Sequence, residues 1–223
     1  MNNKINVIIT GSTGMVGEGV TNVCINDPRI AKILLINRRK SGFEHQKIKE
    51  LVLADLRDLS RFEDELRGFD ACFYCLGVSS VGMNKSMYYT ITYELTLSIA
   101  KLLSRFNQNM KFIYVSGAGT DSTEKHVGSW SAVKGKTEND LMKLSFNKVY
   151  GYRPGFLKPM KGSKYSHKYY KYISWIFPIG KKILPDYFNT LEELGKSMIN
   201  IVFYDFTKTI VKGKDIKLLA EQK

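Results

Sequence analysis

Apolar residues along this chain fall into short unbroken runs, and between the runs they recur at helical spacing. Residues 4–10 (KINVIIT), 32–37 (KILLIN), 48–54, 71–76, 111–116 (KFIYVS) and 148–152 form the runs. Their length and β-branched content predict strands buried on both faces. Residues 15–25 place Val16, Val20, Val23 and Cys24 one helical turn apart, and Asn26-Asp27-Pro28 ends the pattern. Residues 60–67 predict a short helix, 88–106 a long amphipathic one and 131–144 another. Strand and helix in alternation predict an α/β fold, a doubly wound parallel sheet covered on both faces. No repeat or linker divides the chain, so one domain is expected over 1–223. After Pro154 the alternation breaks. Residues 156–223 are expected to form a C-terminal lid and packing segment, with a helix at 191–203 returning to the sheet.

Composition narrows the class. With 43% hydrophobic and 25% charged residues over 223 positions, the chain has the balance of a globular domain. No apolar run reaches about 18 residues, the length needed to span a bilayer. The first strand begins within five residues of the N-terminus and no small-residue cleavage site precedes it, so a cytoplasmic protein is expected. The net charge of +13 is spread along the chain. Its scatter predicts a solvated basic surface rather than a nucleic-acid site. Three cysteines, Cys24, Cys72 and Cys75, make no disulfide framework. Cys72 and Cys75 match Cys-x-x-Cys, but inside a strand they point to opposite faces, as buried core residues. His45, His126 and His167 have no paired spacing, so no metal site is expected.

The chemistry sits in residues 10–17, TGSTGMVG. Gly11, Gly14 and Gly17 lie between a buried strand and an amphipathic helix. Glycine there lets the backbone approach a pyrophosphate, and the helix N-terminus offers free N–H groups. At the end of the second strand, where an acid would take the 2′-hydroxyl of NAD, stand Asn37, Arg38, Arg39 and Lys40. Guanidinium matches a 2′-phosphate, which favours NADP(H) over NAD(H).

Taken in order, TGSTGMVG (10–17), NRRK (37–40), ADLRD (54–58), CLG (75–77), YVSGAGTD (114–121), VKGKTEND (133–140) and YRPGFLKP (152–159) resemble an atypical short-chain dehydrogenase/reductase. The resemblance is to the NAD(P)-dependent epimerase/dehydratase-like and NmrA-like proteins. It implies a Rossmann fold with Gly11, Thr13, Gly14, Met15, Val16 and Gly17 on the pyrophosphate. Asp55 and Leu56 would lie against the adenine, and Cys75, Leu76 and Gly77 beside the nicotinamide ribose. Arg153, Pro154 and Gly155 would shape the nicotinamide end. Ser116 would hydrogen-bond the substrate oxygen and Lys134 would bind the nicotinamide ribose. It also implies homodimers through the helices at 88–106 and 131–144. The implied activity is an oxidoreductase or epimerase-like reaction on a small carbonyl or hydroxyl compound.

The family pattern Tyr-x-x-x-Lys is broken, because Trp130 stands four residues before Lys134. Indole donates a hydrogen bond but does not titrate near neutral pH. Either another group does the chemistry, with Tyr88, Tyr89, Tyr93, Tyr152, Ser129 and Ser131 as candidates, or the protein is a non-catalytic NADP(H)-binding regulator. Residues 165–188 interleave aromatics with lysines. That composition fits a lid over the substrate or a contact with a membrane surface.

Overall fold

The computed structural model describes residues 4–165, 177–184 and 186–222. β1 (Ile5–Thr10) leads through the glycine turn into α1 (Met15–Asn26) and β2 (Ile30–Asn37). β3 (Ile48–Val52), a 3-10 segment (Leu56–Leu66) and β4 (Ala71–Tyr74) follow. Next come α2 (Lys85–Tyr89), a π turn (Thr90–Glu94), α3 (Leu95–Phe106), β5 (Lys111–Val115), α4 (Trp130–Leu141) and β6 (Lys148–Arg153). The remaining elements are β7 (Phe156–Lys158), α5 (Phe177–Ile183), β8 (Phe188–Thr190), α6 (Leu191–Phe203), β9 (Ile210–Lys212) and α7 (Gly213–Ala220). Seven strands make one sheet in the order β3-β2-β1-β4-β5-β6-β9, and β7 pairs with β8. Every pairing is parallel. This is the doubly wound Rossmann arrangement the alternation predicts.

Each strand serves two cores, because successive side chains point to opposite faces. Val7, Ile9, Ile33, Leu35, Phe73, Ile113 and Tyr152 pack on one side with α1 and α6. Ile8, Leu34, Ile36, Cys72, Phe112 and Tyr114 pack on the other with Leu97, Ala100 and Leu103 of α3. Cys72 and Cys75 fall on opposite faces; Cys72 is buried as expected, whereas Cys75 is only half-buried. Both are free cysteines.

Three segments depart from the sequence reading. The long helix starts earlier, at Lys85, where the Asn84 side chain accepts from Ser86 N at 2.8 Å. The helix expected at 60–67 is instead 3-10 over Leu56–Leu66, kinked at Phe62. Third, the alternation does not end at Pro154, because α6 carries the chain to β9, which pairs with β6. Only Val211 of that three-residue strand is fully buried, too short a run to register as a pattern. The helix expected at 191–203 does return to the sheet, and Leu191, Leu194, Met198, Ile199, Ile216 and Leu219 of residues 191–220 are fully buried. Much of the expected lid at 165–188 lies outside the described residues.

These positions set a stability contrast. Leu194→Ala is expected to cost about 2–5 kcal/mol in urea unfolding, whereas Leu184→Ala, at an exposed site, stays within about 0.5 kcal/mol.

Candidate active site

The glycine turn is built by close approach. Gly11 has φ of 73°, and a Cβ there would lie 2.8 Å from the backbone of Leu76 beyond β4. A Cβ on Gly17 would lie 2.2 Å from Gly11 O. Any side chain at either position would push α1 off the sheet. Gly14 is the N-cap of α1 in an extended conformation, and no side chain caps the helix. Its first amides therefore point at whatever lies beyond the turn, together with the positive end of the helix dipole. Beyond it opens a cleft of about 610 Å³ lined by Gly11, Thr13, Gly14, Asn37, Arg38, Arg39, Ala54, Cys75, Leu76 and Gly77. It lies where the strand order reverses between β1 and β4, the place ligands take in such sheets. A second hollow of about 390 Å³, sharing Arg38 and Ala54, is lined by Asp55, Leu56 and Ile91.

At the end of β2 the expected cofactor residues divide. Asn37 is buried and braces the protein. Its side chain accepts from Ser12 N at 3.1 Å and donates to Ser12 Oγ at 2.7 Å and to Glu50 Oε1 at 2.8 Å. Glu50, which the sequence reading passed over, also accepts from Ser41 N at 2.9 Å. A carboxylate does stand near the end of β2, but its hydrogen bonds hold the loop. Arg38 and Arg39 are exposed on the cleft wall and make no ion pair among the described residues. Asp55 is engaged by Arg57, whose guanidinium and backbone N–H hold its carboxyl below the usual range.

A strap closes this end. Glu18, buried in the first turn of α1, accepts from Ser163 Oγ, from Lys164 N at 2.7 Å and from Tyr165 N at 3.1 Å. The Tyr165 hydroxyl donates to Ser41 O at 3.2 Å. One carboxylate thus ties residues 163–165 to the helix that follows the glycine turn.

The residues expected to be catalytic gather at the ends of β5 and β6. Lys134 Nζ donates to Ser116 O at 2.5 Å, and burial draws its pKa below the usual lysine value. Ser116 is buried, and its hydroxyl donates to Glu138 Oε1 at 2.5 Å. In this structure its side chain turns toward Glu138. Arg153 meets the same carboxylate. Its guanidinium grips both oxygens of the fully buried Glu138 carboxylate and also donates to Ser122 Oγ. Pro154 O accepts from Ala118 N at 2.8 Å, and Gly155 packs on the backbone of Tyr187. The position that does face Lys134 is Gly117, where a Cβ would lie 3.9 Å from Nζ. Neither Glu138 nor Gly117 stands out as a site residue in the sequence. The i, i+4 spacing from Lys134 to Glu138 was the available signal for the first.

Among the described residues no replacement phenol meets Lys134. Trp130, the first residue of α4, lays its ring along the loop after β5, 3.0 Å from where a Gly119 Cβ would be. Lys134 Nζ lies 5.9 Å from the Trp130 ring centre. Tyr152 is buried and donates to Ser197 O at 3.1 Å. Tyr93 donates to Asp140 Oδ2 at 2.8 Å, and the Tyr89 ring packs on Tyr93. Tyr88 is buried, which raises its pKa. Ser129 accepts from Ala132 N as the N-cap of α4, and its hydroxyl lies 3.0 Å from that of Ser131.

An open cleft at the strand reversal beside an uncapped helix N-terminus is the arrangement of a Rossmann-type dinucleotide-binding fold. Residues 7–143 match the model of the NAD dependent epimerase/dehydratase family, and the chain belongs to that family. It is 26% identical over 159 residues to Protein HTATIP2 of Rattus norvegicus, covering 70% of this chain and 64% of that protein. It is 25% identical over 159 residues to the mitochondrial Protein FMP52 of Candida albicans, covering 69% and 67%. Its fold is that of a UDP-N-acetylglucosamine 4-epimerase from Methanobrevibacter ruminantium, at a TM-score of 0.66 and 17% identity, covering 94% of this chain and 76% of that one. The Bordetella bronchiseptica enzyme WbmF, solved with NAD+, superposes at 0.65 with 14% identity, covering 97% and 76%.

Two outcomes follow from the buried cluster. Glu138→Gln leaves Arg153 without its counter-charge and is expected to cost about 3–5 kcal/mol in urea unfolding. Lys134 has a lowered pKa in the folded protein, so above that value the unfolded chain binds the extra proton. Stability should therefore gain from Lys134 as pH rises from the folded pKa to the free-lysine value. Urea titrations across that alkaline window should show the gain, and Lys134→Met should abolish it.

Proposed function

We propose that this chain binds NADP(H) in the cleft and works as an oxidoreductase or epimerase-like enzyme on a small carbonyl or hydroxyl compound. The observation that carries the reading is the pairing of an uncapped α1 N-terminus with Arg38 and Arg39 on the same cleft wall. The backbone amides after Gly14 suit a pyrophosphate. The two guanidinium groups suit a 2′-phosphate, and Glu50, already engaged by Asn37 and Ser41, does not compete for them. Asp55 and Leu56 line the hollow an adenine would fill. The dinucleotide, when bound, supplies a hydride donor or acceptor.

Among the described residues Lys134 is the titratable group left on the substrate side, because the Ser116 hydroxyl bonds Glu138 and residue 130 is an indole. Desolvation draws its pKa down, the direction that eases proton release from Nζ. Lys134 would then both orient the nicotinamide ribose and handle the substrate proton, in the cytoplasm.

A second reading, an NADP(H)-binding regulator without turnover, is favoured by one observation. Neither residue 117 nor residue 130 offers a hydroxyl beside Lys134. NADPH consumption across a panel of carbonyl compounds separates the two. An enzyme consumes NADPH with some member of the panel and loses that activity in Lys134→Ala; a regulator binds NADPH and consumes none.

Binding itself is tested by two variants. Gly14 has an extended backbone that any residue adopts, so Gly14→Asp keeps the turn and places a carboxylate at the pyrophosphate. It should abolish binding of both dinucleotides. Arg38→Ala with Arg39→Ala should weaken NADPH about 10- to 100-fold, from ~1.5–3 kcal/mol of lost charge-assisted bonding, and leave NADH unchanged. Equal losses for both dinucleotides would refute the 2′-phosphate assignment.

A further inference from the structure

The short helix α5 and the turn after it are apolar on two sides. Inward, Phe177 packs on Phe156 and Phe188 with ring centres 6.1 and 5.7 Å apart, and Gly180 lets the Phe188 ring approach. Outward, Ile179, Ile183, Leu184 and Tyr187 are 53%, 69%, 53% and 57% exposed. Ile179 and Ile183 are one helical turn apart and share a face. Single exposed apolar residues are ordinary; four within nine residues mark a contact surface.

The charge around this face is mostly positive, with Asp186 in the turn before Tyr187 its one exposed acid among the described residues. Lys158 Nζ lies 5.1 Å from the centre of the Phe177 ring. Lys182 is exposed on the helix and makes no ion pair among the described residues, whereas Lys181 is paired with Glu193. From residue 157 to residue 184 the chain contains no aspartate or glutamate. Aliphatic side chains, a tyrosine and free lysines together match one surface: acyl boundary for the aliphatics, headgroup level for the phenol, lipid phosphates for the ammonium groups. A polynucleotide would engage the lysines but leave Ile179, Ile183 and Leu184 in water.

We infer that the outer face of α5 docks the protein on the surface of an anionic lipid bilayer. It lies on the membrane without spanning it; among the described residues no helix is long and apolar enough to cross one. This docking is independent of the dinucleotide reading.

Flotation of the full chain with vesicles tests it, comparing phosphatidylcholine alone with vesicles carrying about one third phosphatidylglycerol. The protein should float with the anionic vesicles and at least about tenfold less with the neutral ones. The triple variant Ile179→Glu, Ile183→Glu, Leu184→Glu alters only exposed side chains and should lose flotation while keeping the urea midpoint. Lys158→Gln with Lys182→Gln is a second variant that leaves the apolar face intact, and it should lose the preference for anionic vesicles. Flotation unchanged in both variants, or no flotation of the parent on anionic vesicles, overturns the proposal. Retention on a single-stranded polynucleotide with no vesicle binding also overturns it, and assigns the lysines to nucleic acid.

Discussion

The first turn of this protein is fixed by how closely three backbones approach one another. Gly11 presses on the chain beyond β4, and Gly17 presses on Gly11, at separations no side chain could occupy. That contact seats the N-terminus of α1 over the point where the strand order reverses. The cleft, its line of unpaired amides and the position of the β2 end all follow from it. The interior is consistent with the same constraint. Asn37 bonds back to Ser12, and Glu50 bonds to Asn37, so the turn, β2 and β3 are locked as one unit. Arg38 and Arg39 begin where that lock ends, which leaves them free to meet a ligand.

A buried carboxylate organises the other wall. Glu138 draws in the hydroxyl of Ser116 and the guanidinium of Arg153, two groups that the family resemblance would assign to substrate and cofactor. Removing either charge from a site this deep would strand the other, so the cluster acts as a rigid anchor between α4, β5 and β6. The Ser116 carbonyl left over from this arrangement holds Lys134. The lysine is therefore positioned by a carboxylate it does not itself pair with. Beside it, neither Gly117 nor Trp130 supplies a hydroxyl.

Most of the architecture was legible in the sequence because parallel strands buried on both faces cannot alternate in polarity. KINVIIT, KILLIN and KFIYVS announce themselves as strands for that reason. The glycine turn was legible because glycine is obligatory where backbones touch. β9 was hidden, since three residues with one buried side chain make no pattern. The partners of Ser116 and Arg153 were hidden for a different reason. Residue type and position in a motif do not reveal which way a side chain turns, and that depends on Glu138, which lies 22 residues from Ser116 and 15 from Arg153. Glu50 was missed likewise, because β3 reaches the end of β2 only through the sheet register.

Paired calorimetric titrations of the full chain with NADPH and NADH bear most directly on whether the cleft takes a 2′-phosphorylated dinucleotide. NADPH should bind at least about tenfold more tightly than NADH, the difference that one charge-assisted contact supplies. Equal affinities, tighter binding of NADH, or no binding of either by correctly folded protein would contradict it.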